Sequence, residues 1–192
     1  MLELTLLDMT LVLDFTAPAW GALLSLMLPR PVLLRTLLAG LLHESAHLAV
    51  MRLCRQRPES MRISAAGLCL RMRGEALCPL PQHCAVLLAG PLANALAGGI
   101  CLALGEQPFG YANLSLGMLN LLPFSGTDGG SLLHALLTHA LLARAPGRIL
   151  TVTRAATLLT ACLTAGALAA ARIGSPPMWT VLLWLTVTGL TR

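Results

Sequence analysis

Two histidines and a glutamate interrupt an apolar stretch: His43-Glu44-Ser45-Ala46-His47 lies within Leu33 to Leu53. A lipid-facing helix does not carry such groups idly, because an ionisable side chain at the bilayer centre costs roughly 2.5 kcal/mol or more. On an α-helix, His43 and His47 stand one turn apart on one face, where two imidazoles can meet a single metal ion. Glu44 projects about 100° round the helix, beside such an ion but out of line with both histidines. This H-E-x-x-H spacing suits zinc held by two histidines, with the glutamate as general base for hydrolysis.

A catalytic zinc usually takes three protein ligands and a water. The candidate third ligand is Asp128, in Asn120-Leu121-Leu122-Pro123-Phe124-Ser125-Gly126-Thr127-Asp128-Gly129-Gly130, and no other acid lies between Glu106 and the C-terminus. Pro123 breaks a helix, and the glycines permit close backbone approach. Irregular backbone at membrane depth is tolerated only where protein buries it or it faces a water-filled cavity. An acid at such a break is a functional candidate by default. Cys54, Cys69, Cys78, Cys84, Cys101 and Cys162 form no C-x-x-C pair. Cys78, His83 and Cys84 therefore lack paired ligand spacing, and no disulfide framework is expected.

The elements that must position these groups are membrane helices. Of 192 residues, 56% are hydrophobic and 11% charged, with mean hydropathy +0.77; soluble domains carry about 25% charge. The net charge of +5 comes wholly from arginine. Because the arginines gather between apolar segments, they read as orientation signals in an anionic bilayer and not as a nucleic-acid surface. Residues 76–105, 107–127, 155–171 and 173–191 contain no Asp, Glu, Lys or Arg and suit four spans. Residues 33–54 make a fifth, and the run 9–28, interrupted by Asp14, Pro18 and Gly21, a weaker sixth. The start of the chain, with Glu3, Asp8 and Asp14, lacks the basic region of a cleavable signal peptide.

Arg52, Arg55, Arg57, Arg62, Arg71 and Arg73 fill one loop, and Arg144, Arg148 and Arg154 another. The positive-inside rule places both in the cytoplasm, with the two termini, so the histidines open towards the cytosolic side. Residues 58–75 alternate partially around Ala65-Ala66-Gly67 and read as a short β-hairpin at the membrane surface. The expected fold class is an all-α integral membrane protein of about six spans with that hairpin attached.

The paired motifs H-E-x-x-H and N-x-x-P-x-x-x-x-D-G resemble those of the site-2 protease family of intramembrane zinc metalloproteases. The resemblance is greatest to its compact bacterial branch, the stage IV sporulation protein FB type. It covers the family's three-helix core, here about residues 33–140 of a single domain spanning 1–192. Gly90-Pro91-Leu92-Ala93-Asn94 is similar to the family's Gly-Pro-x-x-Asn helix. Two departures stand out: Gly126-Thr127 precedes Asp128 where members often have Pro-Leu, and neither a PDZ nor a CBS domain is present.

The resemblance implies one zinc ion (Zn2+) on His43, His47 and Asp128, with Glu44 the catalytic acid/base and Asn120 near the substrate. It implies cleavage of membrane-embedded or membrane-associated proteins, such as a sporulation or signalling factor precursor, in a bacterial cell membrane. A regulatory membrane protein is the other partner this compact form implies. Two alternatives compete. An inactive relative that binds transmembrane segments would not need Glu44, and a metal transporter would carry ionisable groups in both halves of the bilayer. Asn94 is read as an interhelical hydrogen-bonder and His134 and His139 as packing or ligand-supporting groups. Trp20, Trp179 and Trp184 are candidate interfacial anchors, with a deeper position as the alternative for Trp184.

Overall fold

A computed structural model describes residues 2–6, 9–56, 58–64, 67–72, 78–124, 126–172 and 174–191. Ala65-Ala66, Arg57, Arg73, Asp8 and Ser125, which entered the sequence reading, lie outside the described residues.

The weak sixth span is divided. Met9–Leu13 is a strand, β2, and Thr16–Met27 a helix of 12 residues, α1. At 1.5 Å per residue such a helix reaches about 18 Å, well short of a hydrocarbon core near 30 Å. Leu2–Leu6 (β1) pairs antiparallel with β2. β2 runs parallel to Pro58–Ser64 (β3), which pairs antiparallel with Gly67–Met72 (β4). The result is a four-stranded sheet in sequential order, so strands extend beyond the surface hairpin expected from sequence.

Helix α2, Arg30–Leu53, follows Pro29 and carries Pro31 in its first turn, where a missing N–H costs nothing. Its buried residues are Ala39, His43, His47 and Met51, a stripe four residues apart that defines one face. Leu34, Leu37 and Leu41 are exposed on other faces. Helix α3, Leu80–Ala103, packs on α2 more extensively than any other pair of elements. It ends where Gly105 takes φ +86° and Glu106 N–H donates to Cys101 O at 2.8 Å, closing the last turn. Helix α4, Gln107–Leu121, is stopped by Pro123, which disfavours helical backbone at the residue before it.

Contacts group the chain into two compact units, Met1–Gly117 and Met118–Arg192. In the first, Met51 and Val86 form a small apolar cluster joined by Val50. In the second, α5 (Asp128–Leu141), α6 (Pro146–Ala170) and α7 (Pro176–Thr191) follow one another, α6 packing on both others. Phe124, Ala161 and Leu185 form the core of this second unit, and Thr157 Oγ1 donates to Pro123 O at 3.2 Å.

Two described helices, Leu80–Ala103 and Pro146–Ala170, are long and apolar enough to cross a membrane. Only 33% and 17% of their apolar windows are buried, unlike the core helix of a soluble protein. Leu92, Leu96 and Ile100 form an exposed row on α3, a patch of the kind that marks contact with lipid or partner rather than water. These features suit a membrane protein. Among the described residues two helices meet this length and apolarity, against the six spans expected.

Candidate metal centre

His43 and His47 are 3% and 5% exposed, so α2 turns both imidazoles inward, away from the exposed leucines. Their rings meet edge to face, with centroids 4.8 Å apart and planes at 77°. The Nε2 atoms approach to 3.1 Å. Two nitrogens on a tetrahedral zinc at 2.0–2.1 Å would lie about 3.3–3.4 Å apart. The observed separation is within a few tenths of an ångström of that spacing.

Helix α3 fixes which nitrogen faces the partner ring. Nδ1 of His47 lies 2.7 Å from Val86 O, and only a protonated nitrogen can donate to a carbonyl. Donation from Nδ1 leaves Nε2 with its lone pair directed at the convergence point, the arrangement usual for metal-bound histidine.

Gly90, one turn beyond Val86, makes this approach possible. A Cβ built there would stand 2.6 Å from His43 Nε2 and 2.7 Å from His43 Cε1, and would collide with His47 Nε2. Any side chain would fill the cradle that the two donor nitrogens share. Pro91 follows inside the helix, and its missing N–H leaves Leu87 O without the helical donor it would otherwise have. Nothing in the H-E-x-x-H pattern pointed to Val86 or to the role of Gly90. The visible signal was a Gly-Pro pair within an apolar helix.

Asp128 is the first residue of α5 and half-buried. Thr127 caps that helix, its side chain accepting from Gly130 N–H at 3.3 Å. Its hydroxyl lies 2.5 Å from Leu122 O and 2.9 Å from Phe124 O, and it has one proton to give to either. Gly129 passes so close to Leu121 that an added Cβ would collide with the Leu121 carbonyl. Hydrogen bonds from Thr127 thus hold the turn that leads into α5.

Among the described residues, His43 and His47 bring their ligand nitrogens together within the first unit, and Asp128, the third metal-capable side chain that the sequence pointed to, opens α5 in the second. Two nitrogens and a carboxylate form the donor set of a hydrolytic zinc site with one position left for water. Glu44 is half-buried on α2 and outside this donor set, and Asn120 is half-buried in the last turn of α4. Cys78, His83 and Cys84 do not form such a set; Cys78 Sγ accepts from Gln56 Nε2 at 2.6 Å. Two expectations are corrected. His134 and His139 are exposed on α5 instead of packed. The Asn94 side chain makes no hydrogen bond among the described residues.

The structure is similar to that of a site-2 protease from Methanocaldococcus jannaschii, with a TM-score of 0.68 over 99% of this chain and 93% of that one. The chain has the site-2 protease fold. Identity to that protein is 19%, so the likeness is one of fold. No known family profile matches the sequence, and no curated protein matches it. The fold likeness does not single out the sporulation type expected from sequence.

Proposed function

We propose that the chain is an intramembrane zinc metalloendopeptidase that hydrolyses peptide bonds in or near transmembrane segments. The observation that carries this reading is the meeting of two buried imidazole nitrogens against Gly90, with His47 oriented by Val86 O. The site-2 protease fold and the apolar helices support it. His43, His47 and Asp128 would hold the zinc.

When bound, the metal would supply a water of lowered pKa and a Lewis acid for the scissile carbonyl. Glu44 takes the proton of the attacking water and returns it to the leaving amine. Asn120 hydrogen-bonds the substrate backbone near the reacting carbonyl. Desolvation around the buried histidines keeps bulk water from competing.

In this reading the chain is one domain, 1–192, spanning a bacterial cell membrane at the expected segments other than 9–28, its core at about 33–140 and its site open to the cytosol. The β3–β4 pair lies at the membrane surface. The partners are a membrane-associated substrate, with a sporulation or signalling precursor as the class to try first, and a regulatory membrane protein.

Zinc per chain in detergent-purified protein tests the reading, together with cleavage of a membrane-protein substrate library. Wild type should hold about one zinc, and Asp128→Ala should lose it. Glu44→Gln should keep zinc and accumulate uncut substrate. A wild type that stays empty after zinc loading, or a Glu44→Gln variant that cleaves normally, would overturn the assignment.

A further inference from the structure

Asn94 shares a face of α3 with Val86 and Gly90, one turn beyond the glycine that abuts the histidines. Its side chain is 0% exposed. Among the described residues, neither Nδ2 nor Oδ1 has a hydrogen-bond partner. The helix facing it offers no side chain there: a Cβ built on Gly117 of α4 would stand 3.2 Å from Asn94 Cβ and 3.1 Å from Pro91 O. An enclosed carboxamide with both ends unpaired is expensive, and native proteins keep very few of them. Such a group calls for a role.

Helical side chains lean towards the N-terminus of their helix, so the Asn94 carboxamide leans over the Gly90 turn. Positions four apart have Cβ atoms about 5–6 Å from each other. The amide therefore borders the volume in which the two Nε2 atoms meet.

We propose that Asn94 is a substrate-binding residue whose carboxamide takes one peptide group of an unwound transmembrane segment. Nδ2–H donates to that group's carbonyl, and Oδ1 accepts its N–H. The inference rests on the intramembrane protease reading above. A carboxamide presents the same donor and acceptor pair as a peptide group, so the two are complementary. A helix must unwind before cleavage, and each peptide group it frees in hydrocarbon lacks a partner. A site working there must supply one.

Pro91 makes Asn94 reachable. The turn between Leu87 and Pro91 lacks one helical hydrogen bond, so α3 bends most readily just before the segment that carries Asn94, and such a bend would lift Asn94 from Gly117. A segment with a central helix-breaking residue frees such a peptide group more readily than an uninterrupted apolar helix, so comparing the two reads out the role of Asn94.

The test uses Glu44→Gln as the uncleaving parent, in detergent, with two labelled Leu/Ala peptides of about 20 residues. One carries a central Gly-Pro break and the other none. The parent should bind the broken peptide more tightly. Adding Asn94→Leu should weaken that binding about tenfold, as expected for losing two hydrogen bonds, and abolish the preference. Zinc content should hold, and the melting temperature should stay level or rise, because leucine replaces an unpaired amide with an apolar group of similar branching. Asn94→Ala should show the same loss of preference without risk of overpacking.

If both variants keep the preference, Asn94 does not bind substrate. If both lose zinc or unfold together with binding, its role is structural and the proposal fails. A parent that binds neither peptide overturns the protease reading and this inference with it. A parent that binds, with variants that bind equally well, overturns the role of Asn94 alone.

Discussion

Replacing Gly90 with alanine tests the proposed metal centre where the backbone leaves it least room. The new methyl carbon would stand 2.6 Å from His43 Nε2 and 2.7 Å from His43 Cε1, and would collide with His47 Nε2. Comfortable contacts lie near 3.5–4.0 Å, so the rings must withdraw by roughly 1 Å. His47 cannot do so freely, because its Nδ1 is held 2.7 Å from Val86 O on the same helix as the methyl. Overpacking of this kind costs about 1–3 kcal/mol, and alanine over glycine in a helix interior returns about 1 kcal/mol. The metal-free protein should therefore lose no more than about 2 kcal/mol and still fold.

Zinc binding should fare far worse, since the methyl occupies the space both donors share. The loss should reach at least about 100-fold, the upper end of what disturbing a ligand's supporting groups causes. By linkage, a 100-fold weaker site removes about 2.7 kcal/mol of zinc-conferred stability. Chelator competition measures the affinity, and thermal unfolding with and without zinc measures the linkage. Gly99→Ala is the control: a Cβ there meets nothing within 4 Å, so it gains the same helix propensity and should keep its metal. A Gly90→Ala protein that binds zinc as tightly as wild type would refute the reasoning.

Thr127→Ala removes the hydroxyl that caps α5 and reaches Leu122 O and Phe124 O, and should cost about 1 kcal/mol in equilibrium unfolding. Thr127→Ser keeps the oxygen and should restore most of it; equal losses in the two variants would show that the methyl group matters instead. Gly129→Ala should be more damaging, about 3 kcal/mol, because the added carbon meets the Leu121 carbonyl and has only backbone to displace. Gly126→Ala, with nothing within 4 Å, should be nearly silent in the same denaturation assay.

The ligand pair was legible in the sequence because its geometry is local. Four residues make one helical turn, so His43 and His47 had to share a face once Leu33 to Leu53 was helical. The groups that orient them were not legible. Val86 meets His47 across 39 residues, through a backbone carbonyl that carries no sequence signature. The N-terminal strands were missed for a different reason. Leu2-Glu3-Leu4-Thr5-Leu6 alternates with period two, but Met9 to Leu28 also contains enough apolar residues to resemble a broken span. Short apolar runs do not separate strand from helix by composition alone. Pro123 signalled the end of α4, although the run of residues without Asp, Glu, Lys or Arg carried the expected span past it.

The dependence of the histidines on α3 bears on why such a site is built within apolar helices. In the proposed function α2 and α3 lie among lipid tails as apolar as leucine, so burying leucine between them would gain little. Association must come from close packing and from polar contacts across the interface. Between α2 and α3 there is close packing at Gly90 and a polar contact from His47 to Val86 O, with Met51 against Val86 in the same seam. The features that bring these helices together are therefore the same ones that aim the two nitrogens at one point. An apolar replacement for His47, which cannot donate to Val86 O, should loosen the α2–α3 pair even without metal. Replacing an exposed residue such as Leu41 should leave both the pair and the site intact.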